Sequence, residues 1–380
     1  MDKRLEKILN SEIKRQESTI ELIASENFAS QSVMDLCGSV FTNKYAEGYP
    51  SLRYYNGCEN MDQVEQLAID ELKKLFGVSY ANVQPHSGAN ANTAVFQALI
   101  SPGDVILGMD LSAGGHLSHG SPVNISGKIY KPTYYGVSDE GLLDYDEILK
   151  IAKECKPKLI IAGASAYSRH IDWCEFNKIA DEVGAYLVAD ISHYSGLIAG
   201  GEYPSPVGFV DVITSTTHKT LRGPRGGVIM WNNPKFTKRI NSAIFPGTQG
   251  GPLMHIIAAK AQCFIEANTV EFKKYAKQII LNSKEMCSVF NENGINVISG
   301  GTDSHIILLD VSSTQYNGKQ VADLLEENNI TVNKNSIPND KLPFTQTSGI
   351  RIGTAAETTR GLVEKDFREI ALKIIKVIKT

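Results

Sequence analysis

Residues 185–220, AYLVADISHYSGLIAGGEYPSPVGFVDVITSTTHKT, predict an acid and a lysine at the ends of two neighbouring strands. The run AYLVAD (185–190) is apolar up to its last residue, the pattern of a strand buried on both faces of a sheet, and it closes on Asp190. A second strand is expected over 210–214, followed by Thr216-Thr217-His218-Lys219-Thr220. Functional groups in open α/β sheets cluster at the carboxyl ends of strands, so Asp190 and Lys219 would arrive at one rim.

Outward from this pair, short apolar runs alternate with helical patterns. Strands are expected at 80–84, 104–109 and 158–164, and helices at 88–100 and 172–183. Residues 62–76 (DQVEQLAIDELKKLF) have helical periodicity too, with Asp62 as N-cap and Gly77 as the stop. The alternation predicts an α/β fold with a mostly parallel sheet covered on both faces. Residues 4–24 read as an amphipathic helix or arm, and TNKYAEGYPSLRYYNGCENMD (42–62) as a loop. After Gly251 a long helix is expected. Past about residue 270 the order helix, strand (ISGGTDSHIILLDV), helix predicts a smaller α+β domain. The expected division is an N-terminal helical arm (1–42), a large domain (43–262) and a small C-terminal domain (263–380).

Composition agrees with two cores, since 380 residues exceed the roughly 250–300 at which cores split. The 38 basic and 42 acidic residues are well mixed, which excludes the basic face of a nucleic-acid binder. The cysteines at 37, 58, 155, 174, 263 and 287 form no C-x-x-C pair and no zinc spacing, as suits thiols in a reducing compartment. The N-terminus lacks the apolar segment of a signal peptide, and no apolar run approaches the roughly 18 residues of a membrane span. A soluble, cytoplasmic protein is expected.

Four loops carry groups suited to chemistry. Ser87-Gly88-Ala89-Asn90 opens a helix, where backbone N–H groups favour an anion; an ordinary strand–helix turn with a serine cap reads the same way. Asp190 at the end of an apolar strand needs a partner, either a protonated pyridine nitrogen or the N–H groups of a helix it caps. Lys219 among threonines, before Arg222-Gly223-Pro224-Arg225-Gly226-Gly227, suits an imine or a plain phosphate contact. His116 and His119 in GGHLSHG stand at a metal-like i, i+3 spacing, but no third ligand accompanies them and no metal is expected; an imidazole stacked on a ring is the better functional reading. A phosphate cradle, an acid for a ring nitrogen, a stacking imidazole and an imine lysine together are what pyridoxal phosphate demands of a protein.

At these residues the chain resembles the serine hydroxymethyltransferase family of fold-type I pyridoxal phosphate enzymes. The likeness runs from about Glu21 to Arg360 through ELIASEN, TNKYAEGYP, RYYNGCE, NVQPHSGANAN, GGHLSHGSPVN, SAYS, TTHKTLRGPRGG, FPGTQGGPLMH, VNKNSIPND and TSGIRIGT. The resemblance implies a seven-stranded, mostly parallel sheet and a homodimer with a shared active site. It implies that Lys219 joins the cofactor, Asp190 pairs with its ring nitrogen, His116 stacks on the ring, and Ser165 and His193 sit beside it. Ser87, Gly88 and Ala89 would bind the phosphate with Tyr45, Gly250 and Gly251 of the neighbouring subunit. Arg351 and Ser25 would hold the substrate carboxylate, and Tyr55 would line the substrate pocket. Glu47 would manage protons, His218 would stand beside the lysine as a catalytic group, and Leu111, Gly115, Leu117, Asn335 and Glu47 would contact the folate. The implied reaction carries the hydroxymethyl carbon of serine to tetrahydrofolate and leaves glycine.

Some positions depart from the family pattern. Ser192 and Ser195 stand where alanines are usual, Asn56 and Ala355 replace a glycine and a proline, Glu357 is expected buried or near the site, and a C-terminal helical extension is missing from the sequence. A folate-independent aldolase or transaldolase acting on another β-hydroxy amino acid is the nearest rival reading. A cofactor-binding protein without catalysis is a third, opposed by the presence of both Lys219 and Arg351.

Overall fold

The computed structural model describes residues 1–379. Its central sheet has seven strands: β1 (Tyr80–Asn82), β2 (Val105–Met109), β3 (Lys131–Tyr135), β4 (Leu159–Ala162), β5 (Tyr186–Asp190), β6 (Val212–Thr216) and β7 (Gly227–Trp231). They lie in the order β1-β7-β6-β5-β4-β2-β3. Five neighbouring strands, β3 to β6 in that order, pair in parallel, and β7 runs antiparallel to both β6 and β1. The strands β4 to β7 are almost wholly buried, so helices must cover both faces of the sheet.

Two of these strands, β3 and β7, are missing from the sequence expectation. Strand β3 (KPTYY) contains Pro132, and its place at the sheet edge explains how a residue without an N–H is tolerated. Strand β7 follows directly on the Arg/Gly/Pro turn, whose loop chemistry masks the short apolar run GVIMW.

Helix α1 (Lys3–Ser18) has no buried residue, and Asp2 caps it through the N–H of Arg4. The expected arm ends sooner than residue 24. Ile20 and Glu21 form a short strand paired in parallel with Ile330–Thr331, and Leu22 packs into the apolar core of the C-terminal region. Helix α2 spans Glu59–Phe76, starting three residues before the expected cap; Gly77 ends it in the left-handed region at φ 70°, as its lack of a Cβ allows. Asp62 is therefore no cap. It accepts from the backbone N–H of Ser51 and from Arg53 Nε at 2.8 Å.

Helices α3 (Gly88–Leu99), α4 (Trp173–Val183) and α5 (Met254–Ala267) lie close to the expected spans. Helix α6 (Val270–Glu292) joins two cores: Phe272, Tyr275, Ala276, Ile279 and Ile280 pack with the large sheet's cluster, and Met286, Cys287, Val289 and Phe290 with the C-terminal one. Beyond it, strands β8 (Asn296–Val297), β9 (Ile306–Asp310), β10 (Asn333–Asn335) and β11 (Gly349–Gly353) form an antiparallel sheet in the order β8-β9-β11-β10. The apolar run 298–311 is a strand only over its second half, because Ser299 and Gly300 take positive φ and start a turn. No helix among the described residues is long and apolar enough to cross a membrane.

Candidate active site

Strands β5 and β6 are adjacent and parallel, with Asp190 opposite Thr214, so the loops that leave them rise from the same rim. That rim, the N-terminus of α3, the loop after β2 and strands β10 and β11 enclose a cavity of about 640 Å³. Of the residues singled out in the sequence, it is lined by Ser25, Ser87, Gly88, Ala89, Leu111, Gly115, His116, Leu117, Ser165, Asp190, His193, His218, Lys219, Asn335 and Arg351.

Asp190 is the electrostatic centre of this cavity. It is buried, with Oδ1 accepting from the backbone N–H of Ser192 at 3.1 Å and from Ser192 Oγ at 2.6 Å. Oδ2 takes Asn92 Nδ2 and His119 Nε2, both at 2.9 Å. Burial pushes the carboxyl up, but the His119 hydrogen bond, the nearby imidazoles and Ser192 outweigh it and hold Asp190 well below the usual carboxylate range. Asp190 thus stays an anion that can hold a protonated ring nitrogen.

Lys219 is buried as well, and its Nζ makes no hydrogen bond with any described residue. Burial lowers its ammonium to about 8, against the pull of Asp190, so an appreciable share of neutral amine exists near neutrality. The lysine loop is fixed from outside: Asn27 Nδ2 donates to the Lys219 carbonyl at 2.9 Å and to the Tyr275 hydroxyl at 2.7 Å. Burial also keeps His116 neutral, at about 4, and His218 at about 3. A neutral imidazole suits stacking on an aromatic ring, and the His116 ring is held by Ser118 through Nδ1.

The N-terminus of α3 packs closely against β6. Ser87 caps α3 through the N–H of Asn90, and the first N–H groups of a helix have no acceptor of their own. A Cβ on Gly88 would come within 2.7 Å of Thr216 Cγ2, so only glycine lets this helix end approach the lysine strand. At the far side of the cavity, Arg351 Nε donates to Asn333 Oδ1 at 3.0 Å and Nη1 to the Ser165 carbonyl at 2.6 Å. Nη2 has no partner among the described residues, as a carboxylate-binding arginine requires. Burial lowers this guanidinium only to about 10, so it stays charged. An anion-binding helix end, a free amine, an anion in a buried pocket and a flat imidazole fit pyridoxal phosphate.

Five expected site residues lie elsewhere on the subunit. Tyr45, Glu47, Tyr55, Gly250 and Gly251 form a cluster of their own, with Tyr45 Oη donating to Glu47 Oε1 at 3.3 Å and the Tyr45 and Tyr55 rings 5.3 Å apart, edge to face. Tyr45 lies so close on Gly251 that a Cβ there would meet the ring at 2.9 Å. Tyr45 and Tyr55 are exposed in the single chain. Glu357 is buried but outside the cavity, where it accepts from Arg360 at 2.8 Å and from the Glu21 N–H at 2.7 Å.

The structure adds Asn92 and His305 to the sequence reading, and it gives His119 and Ser192 a shared partner in Asp190. Asn92 bridges Asp190 and Ser118 and accepts from Thr214 Oγ1 at 2.6 Å. His305 Nε2 lies 3.3 Å from His193 Nδ1 and 3.1 Å from the Ala24 carbonyl, the two rings stacked at 18°. A polar residue at the start of an apolar run, as in SHIILLD, was the available signal for His305. For His119 the signal was its spacing from His116, and nothing local marked its tie to Asp190.

The chain is similar in sequence to known proteins over almost its whole length. The serine hydroxymethyltransferase family model matches residues 1–374. A serine hydroxymethyltransferase of Wolbachia sp. subsp. Drosophila simulans (strain wRi) is 59% identical over 372 residues, 98% of this chain and 88% of the relative. Those of Hydrogenovibrio crunogenus and Mycoplasma mobile are each 57% identical, covering 99% of this chain and 90% of the relative. With a family model matched over residues 1–374 and relatives 57–59% identical across nearly the whole chain, the chain belongs to the serine hydroxymethyltransferase family.

Proposed function

We propose a division of labour among the residues of this site for the family's reaction, the reversible transfer of the serine hydroxymethyl carbon to tetrahydrofolate that gives glycine and 5,10-methylenetetrahydrofolate. The family's cofactor is pyridoxal phosphate, which supplies, when bound, an electron sink for the bond broken at the substrate α-carbon. Lys219 holds the cofactor covalently, and its lowered basicity favours the neutral amine that attachment needs. Asp190 keeps the ring nitrogen protonated. His116 and His193 flank the ring, Ser165 stands at its oxygen side, and Ser87, Gly88 and Ala89 take the phosphate. Arg351 orients the amino acid by its carboxylate through Nη2, with Ser25 beside it, while His218 stands next to Lys219.

Tyr45, Glu47, Tyr55, Gly250 and Gly251 complete the site of the neighbouring subunit. The family's members are homodimers. The observation that supports this reading is the exposure of this cluster away from the cavity of its own chain. Glu47 then moves the proton of the serine hydroxyl at the folate-facing side, where Leu111, Gly115, Leu117 and Asn335 receive the pteridine. We further propose the domain division 1–42, 43–262 and 263–380, with residues 20–22 packing on the small domain and the apolar side chains of 263–280 on the large one, and work in the cytoplasm, which the six unpaired cysteines support.

The test is spectral. Glycine and tetrahydrofolate added together to the holoenzyme are expected to produce a new absorption band at about 500 nm, a property of the cofactor. A band of equal strength without folate would overturn the folate-facing half of the proposal.

A further inference from the structure

The hydroxyl of Ser192 does two things at once. It donates to Asp190 Oδ1 at 2.6 Å and accepts from the backbone N–H of Thr216 at 3.0 Å. Thr216 returns a bond from its Oγ1 to the Ser192 carbonyl at 3.3 Å. Asp190 ends β5, and Thr216 ends β6 three residues before Lys219. One buried hydroxyl thus ties the loop of the ring-nitrogen acid to the loop of the lysine. Gly88, which opens the anion cradle, packs on the same two side chains: a Cβ there would lie 2.7 Å from Thr216 Cγ2 and 3.6 Å from Ser192 Oγ.

A carboxylate has about four lone-pair positions. Those of Asp190 are met by the Ser192 N–H and Oγ, Asn92 Nδ2 and His119 Nε2. Each donor spreads the negative charge, and a hydroxyl at 2.6 Å is the shortest of the set. The charged and titratable groups around the carboxylate are His119 and His116 from the loop after β2, Lys219 from the loop after β6, and Tyr194. None of these takes over the seat of the Ser192 hydroxyl, because among the described residues Oδ1 has no other hydrogen-bond partner than Ser192 itself.

We propose that Ser192 is a positioning residue for the cofactor: its hydroxyl fixes the Asp190 carboxylate beneath the ring nitrogen, limits its basicity and locks it in register with the lysine loop. The inference rests on Asp190 facing the ring nitrogen. Removing the hydroxyl leaves a more basic carboxylate, which stabilises positive charge on the conjugated cofactor. The nitrogen that joins the cofactor to Lys219 then keeps its proton to higher pH.

The measurement is a pH titration of the visible absorption of holoenzyme, which follows that proton. S192A is expected to raise the midpoint by about 0.5–1 unit, and S192T, which keeps the hydroxyl, to stay at the wild-type value. In a D190N background the S192A change is expected to shift nothing further. A wild-type midpoint in S192A, or an equal shift with D190N already present, would overturn the role of Ser192. A D190N holoenzyme with an unaltered spectrum would instead overturn the placement of Asp190 against the ring. Should S192T fail to fold, the S192A and D190N pair decides alone.

Discussion

Lys219 and Asp190 face one cavity with opposite adjustments: burial makes the lysine less basic, and hydrogen bonds keep the acid ionised. Below about 8 the lysine is mostly ammonium and cannot attack; above it the neutral amine dominates. The rate at which cofactor-free protein recaptures pyridoxal phosphate is therefore expected to rise with pH and level off above about 8, whereas a lysine of ordinary basicity would still be gaining at about 10. Stopped-flow absorbance across that range reads the midpoint. Lys219→Ala is expected to abolish the visible absorption of covalently held cofactor, and a variant that stays yellow after dialysis would contradict the assignment.

Lys260 shows the opposite use of a buried lysine. Its Nζ donates to the carbonyls of Val83, Pro85 and Gly227 at 2.7, 3.0 and 2.8 Å. Burial drives it down to about 7, yet three acceptors need three donors, which only the ammonium supplies, and we assign the charged form. It fastens β7 to the stretch that leads into the N-terminus of α3.

At the scale of elements, the segment 42–58, expected as a loop, folds over Gly48–Tyr49 and Leu52–Arg53 into a short antiparallel pair, buries Ala46 and Cys58 in the large core, and is tied down in part by one arginine. Arg53 reaches Glu65 at 2.6 Å, Asp62 at 2.8 Å and the carbonyls of Ala46 and Gly48. Its side chain is 4% exposed and that of Glu65 only 1%. Burial raises the Glu65 carboxyl in spite of Arg53, while Arg53 itself is raised, so the pair is held by geometry at a desolvation cost. Arg53→Met is expected to cost about 3–5 kcal/mol, because it strands a buried carboxylate. Adding Glu65→Leu should restore much of the loss, since an apolar replacement of both partners removes the stranded charge. Urea unfolding of the two variants distinguishes these outcomes.

For the whole molecule, the separation of the Glu47 cluster from the Lys219 cavity carries a direct consequence. On the proposed shared site, a Lys219→Ala subunit lacks one half and a Glu47→Gln subunit the other. Mixed dimers of the two would hold one intact site, and random pairing places about a quarter of the wild-type sites in working order. Activity recovered on unfolding and refolding the two inactive proteins together reads this out. No recovery would mean that Glu47 and Lys219 serve the same chain's site.

The sequence by itself determined the α/β class, the placement of Asp190 and Lys219 at neighbouring strand ends and the glycine stop at Gly77, because each depends on local period or on a motif whose residues are near neighbours in the chain. It left out β3 and β7, whose strand character is lent by the sheet they join: Pro132 is tolerated only at an edge, and GVIMW is too short to stand apart from its turn. It misplaced the cap of α2, since the Asp62 carboxylate is drawn to Arg53 across the chain. The partners of Asp190 Oδ2 were decided by tertiary structure alone. Asn92 and His119 reach it from 98 and 71 residues away, and hydrogen bonds between groups so distant in the chain leave no periodic trace in the sequence. The same holds for the exposed cluster around Glu47, whose distance from the lysine cavity exists only once the chain is folded.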